Sequence, residues 1–149
     1  MSLINQDLQL LSALRKNSRS SLTKISQEIN LPKSTLFDKL KHHEKSIIHK
    51  HTSLVDFKKL GYISRIFITI KTTVDCRSKL NQFFFTHENV NNLFVIDSGF
   101  DFFVDAVFKD IKEKEDFLTY LKVNFPILEI YVQTVVDHVR RESFLESPI

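Results

Sequence analysis

Residues 21–45 read SLTKISQEINLPKSTLFDKLKHHEK, and the spacing of their apolar positions predicts two helices joined by a tight turn. Leu22, Ile25 and Ile29 recur at helical intervals, which places them on one face. Ser21 precedes them as an N-cap, with a hydroxyl that accepts from an orphan N–H of the first turn. Asn30-Leu31-Pro32 makes the turn. Pro32 suits the first position of the next helix, because its missing N–H would be unpaired there anyway. That helix runs to about Lys45, with Leu36, Leu40 and His43 inward. Upstream, Met1 to Leu14 is amphipathic: Ile4, Leu8, Leu11 and Leu14 share a face, Leu10 lies beside it, and Asp7 falls inside. Asn17-Ser18-Arg19-Ser20 ends it. Three short helices with a tight turn before the third make a helix-turn-helix. Ile47 to Val55, two apolar groups around His49-Lys50-His51, reads as a small hairpin or wing.

After Gly61 the pattern changes. Ile63 to Thr73 is β-branched and aromatic, a strand. Asp75 to His87 is helical by period. Leu93 to Ser98 is a strand, Gly99-Phe100-Asp101 a turn, and Phe102 to Lys109 the returning strand. Ile111 to Phe125 is a helix stopped by Pro126, and Leu128, Ile130, Val132 and Val136 lie along a last strand. The order β-α-β-β-α-β is the ferredoxin-like unit. The expected class is α+β: a winged helix-turn-helix over 1–55, a connector over 56–62, a ferredoxin-like domain over 63–137, and a tail over 138–149 without clear period.

Composition narrows the functions. The chain of 149 residues is 42% apolar and 26% charged, a globular balance. No apolar run approaches the roughly 18–20 residues of a bilayer span. The N-terminus lacks the parts of a signal peptide. A soluble cytoplasmic protein without membrane contact is expected. Cys76 is the single cysteine, so neither an intrachain disulfide nor a cysteine-rich zinc site can form. With two glycines, Gly61 and Gly99, no Gly-rich phosphate loop can be built. HExxH and GxSxG are absent, and no catalytic residue, metal or cofactor is expected. Residues 1–60 hold 11 Lys and Arg against 5 Asp and Glu, whereas residues 61–149 hold 10 against 13. A basic module for a polyanion is joined to a mildly acidic one.

Local motifs follow the same order. Asn17-Ser18-Arg19 with Ser21 resembles the N-x-R-x-S stretch of the Lrp/AsnC family of transcription regulators. Ser34-Thr35-Leu36 with Lys39-Leu40 is similar to that family's recognition helix, and Val55-Asp56-Phe57-Lys58-Lys59-Leu60-Gly61-Tyr62 to its V-D-P-x-x-L-G-Y connector. Ser98-Gly99-Phe100-Asp101 is similar to its T-G-x-x-D turn. The resemblance covers nearly the whole chain. Lys24 departs from it where a Glu would complete a capping box, as do Pro32 in place of a serine cap and Ser46 in place of glycine. The resemblance implies a sequence-specific regulator that binds double-stranded DNA. It also implies a homodimer or higher even oligomer, tetramer or octamer, and an amino-acid effector held in a pocket between subunits at Ser98, Gly99, Phe100 and Asp101; Thr134 on the last strand is an expected polar neighbour.

The third helix carries the DNA reading. A 3.6 period turns Ser34, Asp38, Lys41, His42 and Lys45 outward. Short donors near its start, Ser34 and Thr35 beside Lys33, suit base edges and phosphates, and Lys41 and Lys45 suit the backbone. Lys39 stands in the family's arginine position beside the buried face. Asp38 is expected to pair with Lys41 or His42 rather than to read cytosine. Lys24 sits where the helix dipole disfavours a cation, a conflict that a phosphate would remove. His42, His43, His49 and His51 lack zinc spacing and read as solvated or phosphate-facing. Of Phe83, Phe84 and Phe85, two are expected in the core and one outside. Asp105, inside a strand, faces water or is buried with a partner across a subunit boundary. Apolar residues on both faces of the outer strands, with Phe67 and Tyr131 opposite the isoleucines, call for a second copy. An Lrp/AsnC-like siroheme decarboxylase and a non-specific architectural DNA-binding protein are the competing functions.

Overall fold

The computed structural model describes residues 5–97 and 99–146. The chain divides into two compact units, Met1–Leu54 with Val139–Ile149, and Val55–His138.

The first unit is built on α1 (Asn5–Lys16), α2 (Leu22–Ile29) and α3 (Lys33–Glu44). Leu10, Ile25 and Leu36, one from each helix, are wholly buried against one another, flanked by Ala13, Leu14, Leu22, Ile29, Leu31 and Leu40. The Ser21 hydroxyl caps α2 by accepting from Lys24 N at 3.2 Å. Asn30 ends α2 with a φ of 53°. Asparagine tolerates that left-handed conformation because its short amide can hydrogen-bond locally. Ser26 Oγ donates to the Leu31 carbonyl at 2.6 Å, which fixes the turn. Pro32 lies one residue ahead of α3 rather than in its first turn.

Two expectations for this unit change. The buried face of α1 is centred on Asp7, Leu10 and Leu11, not on Leu8. Ile47–Val55 carries no strand. No glycine ends α3, and the N–H groups of Ser46, Ile47 and Ile48 all return to the His43 carbonyl. The chain therefore leaves in an extended connection, and two short apolar pairs without a third strand are too little for an independent ribbon. The tail is held within this unit: the Arg15 guanidinium donates to the Glu142 and Phe144 carbonyls at 2.7 and 3.1 Å.

The second unit is an antiparallel sheet of order β2-β3-β1-β4, formed by β1 (Ser64–Thr72), β2 (Val90–Val95), β3 (Phe102–Phe108) and β4 (Ile127–Thr134), with α4 (Arg77–Thr86) and α5 (Ile111–Asn124). Alternation decides its faces. Ile66, Ile68 and Ile70 of β1 and Phe102, Val104, Ala106 and Phe108 of β3 pack with Leu80, Phe84, Phe117, Leu118 and Leu121 of the helices. The intervening residues Arg65, Phe67, Thr69, Phe103 and Asp105 stand on the opposite face. Phe84 is buried, Phe83 packs against the core and Phe85 is exposed, the division expected of that triplet. The second strand begins at Val90, three residues before its expected start. Asn91 and Asn92 disguised it: both amides donate to Asp105 Oδ2 at 2.7 Å.

Candidate functional site

The face of α3 follows from what its other side holds. Asp7 of α1 is buried, and Lys39 Nζ reaches its Oδ1 at 2.8 Å while His43 Nε2 lies 3.1 Å from the same oxygen. Lys39 is thus turned inward and positions α3 against α1, so the placement of its ammonium among phosphate contacts is corrected. His43 is buried too, with Nδ1 enclosed and unbonded among the described residues, so it is not a solvated histidine. His51 pairs with Glu44 at 3.1 Å. Among the described residues no group of histidine, cysteine and carboxylate side chains could hold a metal ion.

The remaining expected residues do share a surface. Lys33, Ser34, Asp38, Lys41, His42 and Lys45 are exposed, and Thr35 is half-buried at its edge. Asp38 makes no ion pair with any described residue, so its expected pairing with Lys41 or His42 is corrected. Lys41 instead lies 5.9 Å from the ring centre of Phe37. That ring, 54% exposed, belongs to the same face and was not singled out in the sequence. Lys24 is exposed on α2, 4.0 Å from Glu28.

A concavity of about 720 Å³ opens at the turn between β2 and β3. Gly99, Phe100 and Asp101 line it with Asp97, Lys71 and Arg77. Ser98 lies outside the described residues. Gly99 has a φ of +87°, and an added Cβ would meet nothing within 4 Å. Conformation rather than space requires glycine there. Asp101 is buried and already engaged. Its Oδ2 accepts from Thr72 N at 2.8 Å, and Arg77 Nε lies 2.7 Å from its Oδ1. It therefore holds the turn and orients Arg77. Thr134 pairs with Ile66, whereas the turn adjoins Ile70 and Thr72. It stands at the other end of β1, away from this cleft.

The open sheet face carries an aromatic row and two charged pairs, Arg65–Asp105 and, at its far end, Lys71–Glu129 at 3.1 Å. Phe103 lies between Phe94 and Phe67, with ring centres 6.0 and 5.3 Å away. Arg65 donates twice to Asp105, at 2.6 Å each. Burial would raise the Asp105 carboxyl, but the hydrogen bonds from Arg65, Asn91 and Asn92 outweigh it and hold that carboxyl below the usual range. Asp105 is thus buried with partners inside its own chain, which corrects both expected alternatives.

The chain joins a helix-turn-helix unit to a four-stranded ferredoxin-like sheet. No family profile matches the chain. It is 26% identical over 119 residues to the HTH-type transcriptional regulator FL11 of Pyrococcus abyssi, covering 79% of each chain. Its fold matches a transcriptional regulator of Neisseria meningitidis solved with L-methionine, at a TM-score of 0.85, 18% identity and 94% of each chain. An AsnC family transcriptional regulator of Agrobacterium tumefaciens gives a TM-score of 0.82 at 14% identity, covering 93% of this chain and 94% of that one. The chain is thus similar in sequence to HTH-type transcriptional regulators and shares the fold of AsnC-type regulator structures.

Proposed function

We propose that the chain binds double-stranded DNA sequence-specifically through the exposed face of α3. The observation that carries this reading is the surface of Lys33, Ser34, Lys41, His42 and Lys45 on one helix, backed by a buried Asp7–Lys39–His43 contact that fixes the helix from behind. Short polar groups near its start reach base edges, and the lysines neutralise phosphates. Copies of the chain pair through the open sheet face, where Phe94 and Tyr131 are 53% and 59% exposed. Such an apolar face calls for a cover, and twofold pairing presents two readers to two half-sites. An amino acid occupies the cleft at Gly99, its carboxylate on Arg77 and its ammonium at Asp97, and shifts DNA affinity through linkage.

The test is a salt series on duplex DNA. Each phosphate contact that is removed lowers the slope of log K against log salt by about one. The Lys33→Ala, Lys41→Ala, Lys45→Ala triple variant should lose about three, whereas an unchanged slope sinks the assignment. Sedimentation that shows a monomer at micromolar concentration would remove the pairing. Calorimetry of the unmodified protein and of Arg77→Ala against the amino acids tests the cleft.

A further inference from the structure

A lone exposed phenylalanine is ordinary on a protein surface, but Phe37 has unusual neighbours. It stands on α3 between Ser34 and Lys41 at helical spacing, so the three share a face. The Lys41 ammonium lies over its ring and orients it outward. The next residue, Asp38, is exposed and makes no ion pair with any described residue. Lys33, Lys41 and Lys45 surround the pair on the same helix. A surface with three exposed lysines suits a polyanion, yet it carries at its centre one apolar ring and one bare carboxylate. Neither gains anything from phosphate, and the carboxylate is repelled by it.

Both match groups on base edges. The thymine C5 methyl is the apolar group that a base pair presents in the major groove. A carboxylate needs a donor there, and the cytosine N4 amino group is one. The adenine amino group serves less well, because its N7 acceptor stands beside it and repels the second carboxylate oxygen. Phe37 and Asp38 are consecutive and fall in the first half of α3, the part of a reading helix that meets base edges.

Resting on the DNA-binding reading above, we propose that Phe37 and Asp38 are specificity-determining residues that read a thymine and a cytosine in adjacent base pairs of each half-site. The experiment selects bound duplexes from a random pool with the unmodified protein, Phe37→Ala and Asp38→Asn. It then replaces the selected thymine by uracil, which removes the methyl group alone.

The unmodified protein should enrich a site with adjacent thymine and cytosine, and lose about tenfold in affinity on the uracil duplex. Phe37→Ala should lose the thymine preference and bind both duplexes equally, since its methyl contact is already gone. Asp38→Asn should exchange cytosine for adenine, which suits a bidentate amide. The uracil comparison on unmodified protein stands even if a variant fails to fold. A motif without that step, indifference to uracil, or a Phe37→Ala that alters sedimentation while its motif stays intact each overturns the proposal and leaves DNA binding in place. Absence of any duplex binding removes both.

Discussion

Asp105 of the sheet unit and Asp7 of the helical unit are both buried beside a base, and the two arrangements differ in kind. Asp105 takes four hydrogen bonds at 2.6 to 2.7 Å, two from one rigid guanidinium and two from amides on the neighbouring strand. Asp7 takes a flexible ammonium and a histidine ring on one oxygen, and the far side of that ring is an enclosed nitrogen without a partner among the described residues. The sheet's pair is a clamp within one layer. The Asp7 contact ties α1 to α3, so it governs how the exposed face of α3 is presented. A planar fork fits a carboxylate in one geometry, whereas an ammonium on a long stem accepts several.

The largest effect is expected at the clamp. Asp105→Ala leaves Arg65 charged and nearly enclosed, a change that costs about 3–5 kcal/mol for buried pairs. Urea unfolding of Asp105→Ala should show it, and the Arg65→Met, Asp105→Leu double variant should recover much of the loss, since an apolar pair needs no partner. A double variant as unstable as the single one would mean that the clamp is irreplaceable on the open face.

At the reader the same operation should do less. Asp7→Ala frees a partly solvated lysine and leaves the buried His43 Nε2 without its carboxylate partner, for about 1–3 kcal/mol. Lys39→Met should be milder still, because its stem packs as before and only the ammonium is lost. In both variants a salt slope close to that of the unmodified protein is expected, because Lys39 holds the helix and does not touch phosphate. A slope lowered by about one in Lys39→Met would return Lys39 to the DNA-contacting set.

The contrast also explains what the sequence made legible. Helix periods, the Asn30 turn and the strand alternation of β1, β3 and β4 are local properties, and they yielded the element order. Lys39 was placed by resemblance, in the family's arginine position, while its partner lies 32 residues earlier. Asp105 and the two asparagines that mark the true start of β2 belong to one network between strands, so no local pattern contains it. Phe37 stands at an outward position of the 3.6 period, and the sequence reading passed over it. Thr134 was joined to the Gly99 turn by resemblance, and the register of β4 against β1 separates them.

A smaller effect distinguishes the units by pH, through His87. Its ring packs against Phe117 and Phe83, with centres 4.8 and 5.0 Å away. Its Nδ1 accepts from Asn89 N at 3.2 Å, a bond that a proton on Nδ1 would break. Burial lowers the His87 pKa below its ordinary value, and the charges of Glu88 and Glu113 oppose that only in part. The folded chain therefore prefers neutral His87. Its contribution to stability is whole above the unfolded value of about 6.5 and is lost as pH falls toward the lower folded value. His87→Asn tests this, because the asparagine oxygen can accept the same N–H two residues on and does not titrate. Between about pH 7 and pH 5.5, unfolding of the unmodified sheet unit should weaken more steeply than that of the variant, by less than the loss at Asp7. Parallel curves would show that the ring relaxes away from Asn89 and that mild acid does not separate the two units at this histidine.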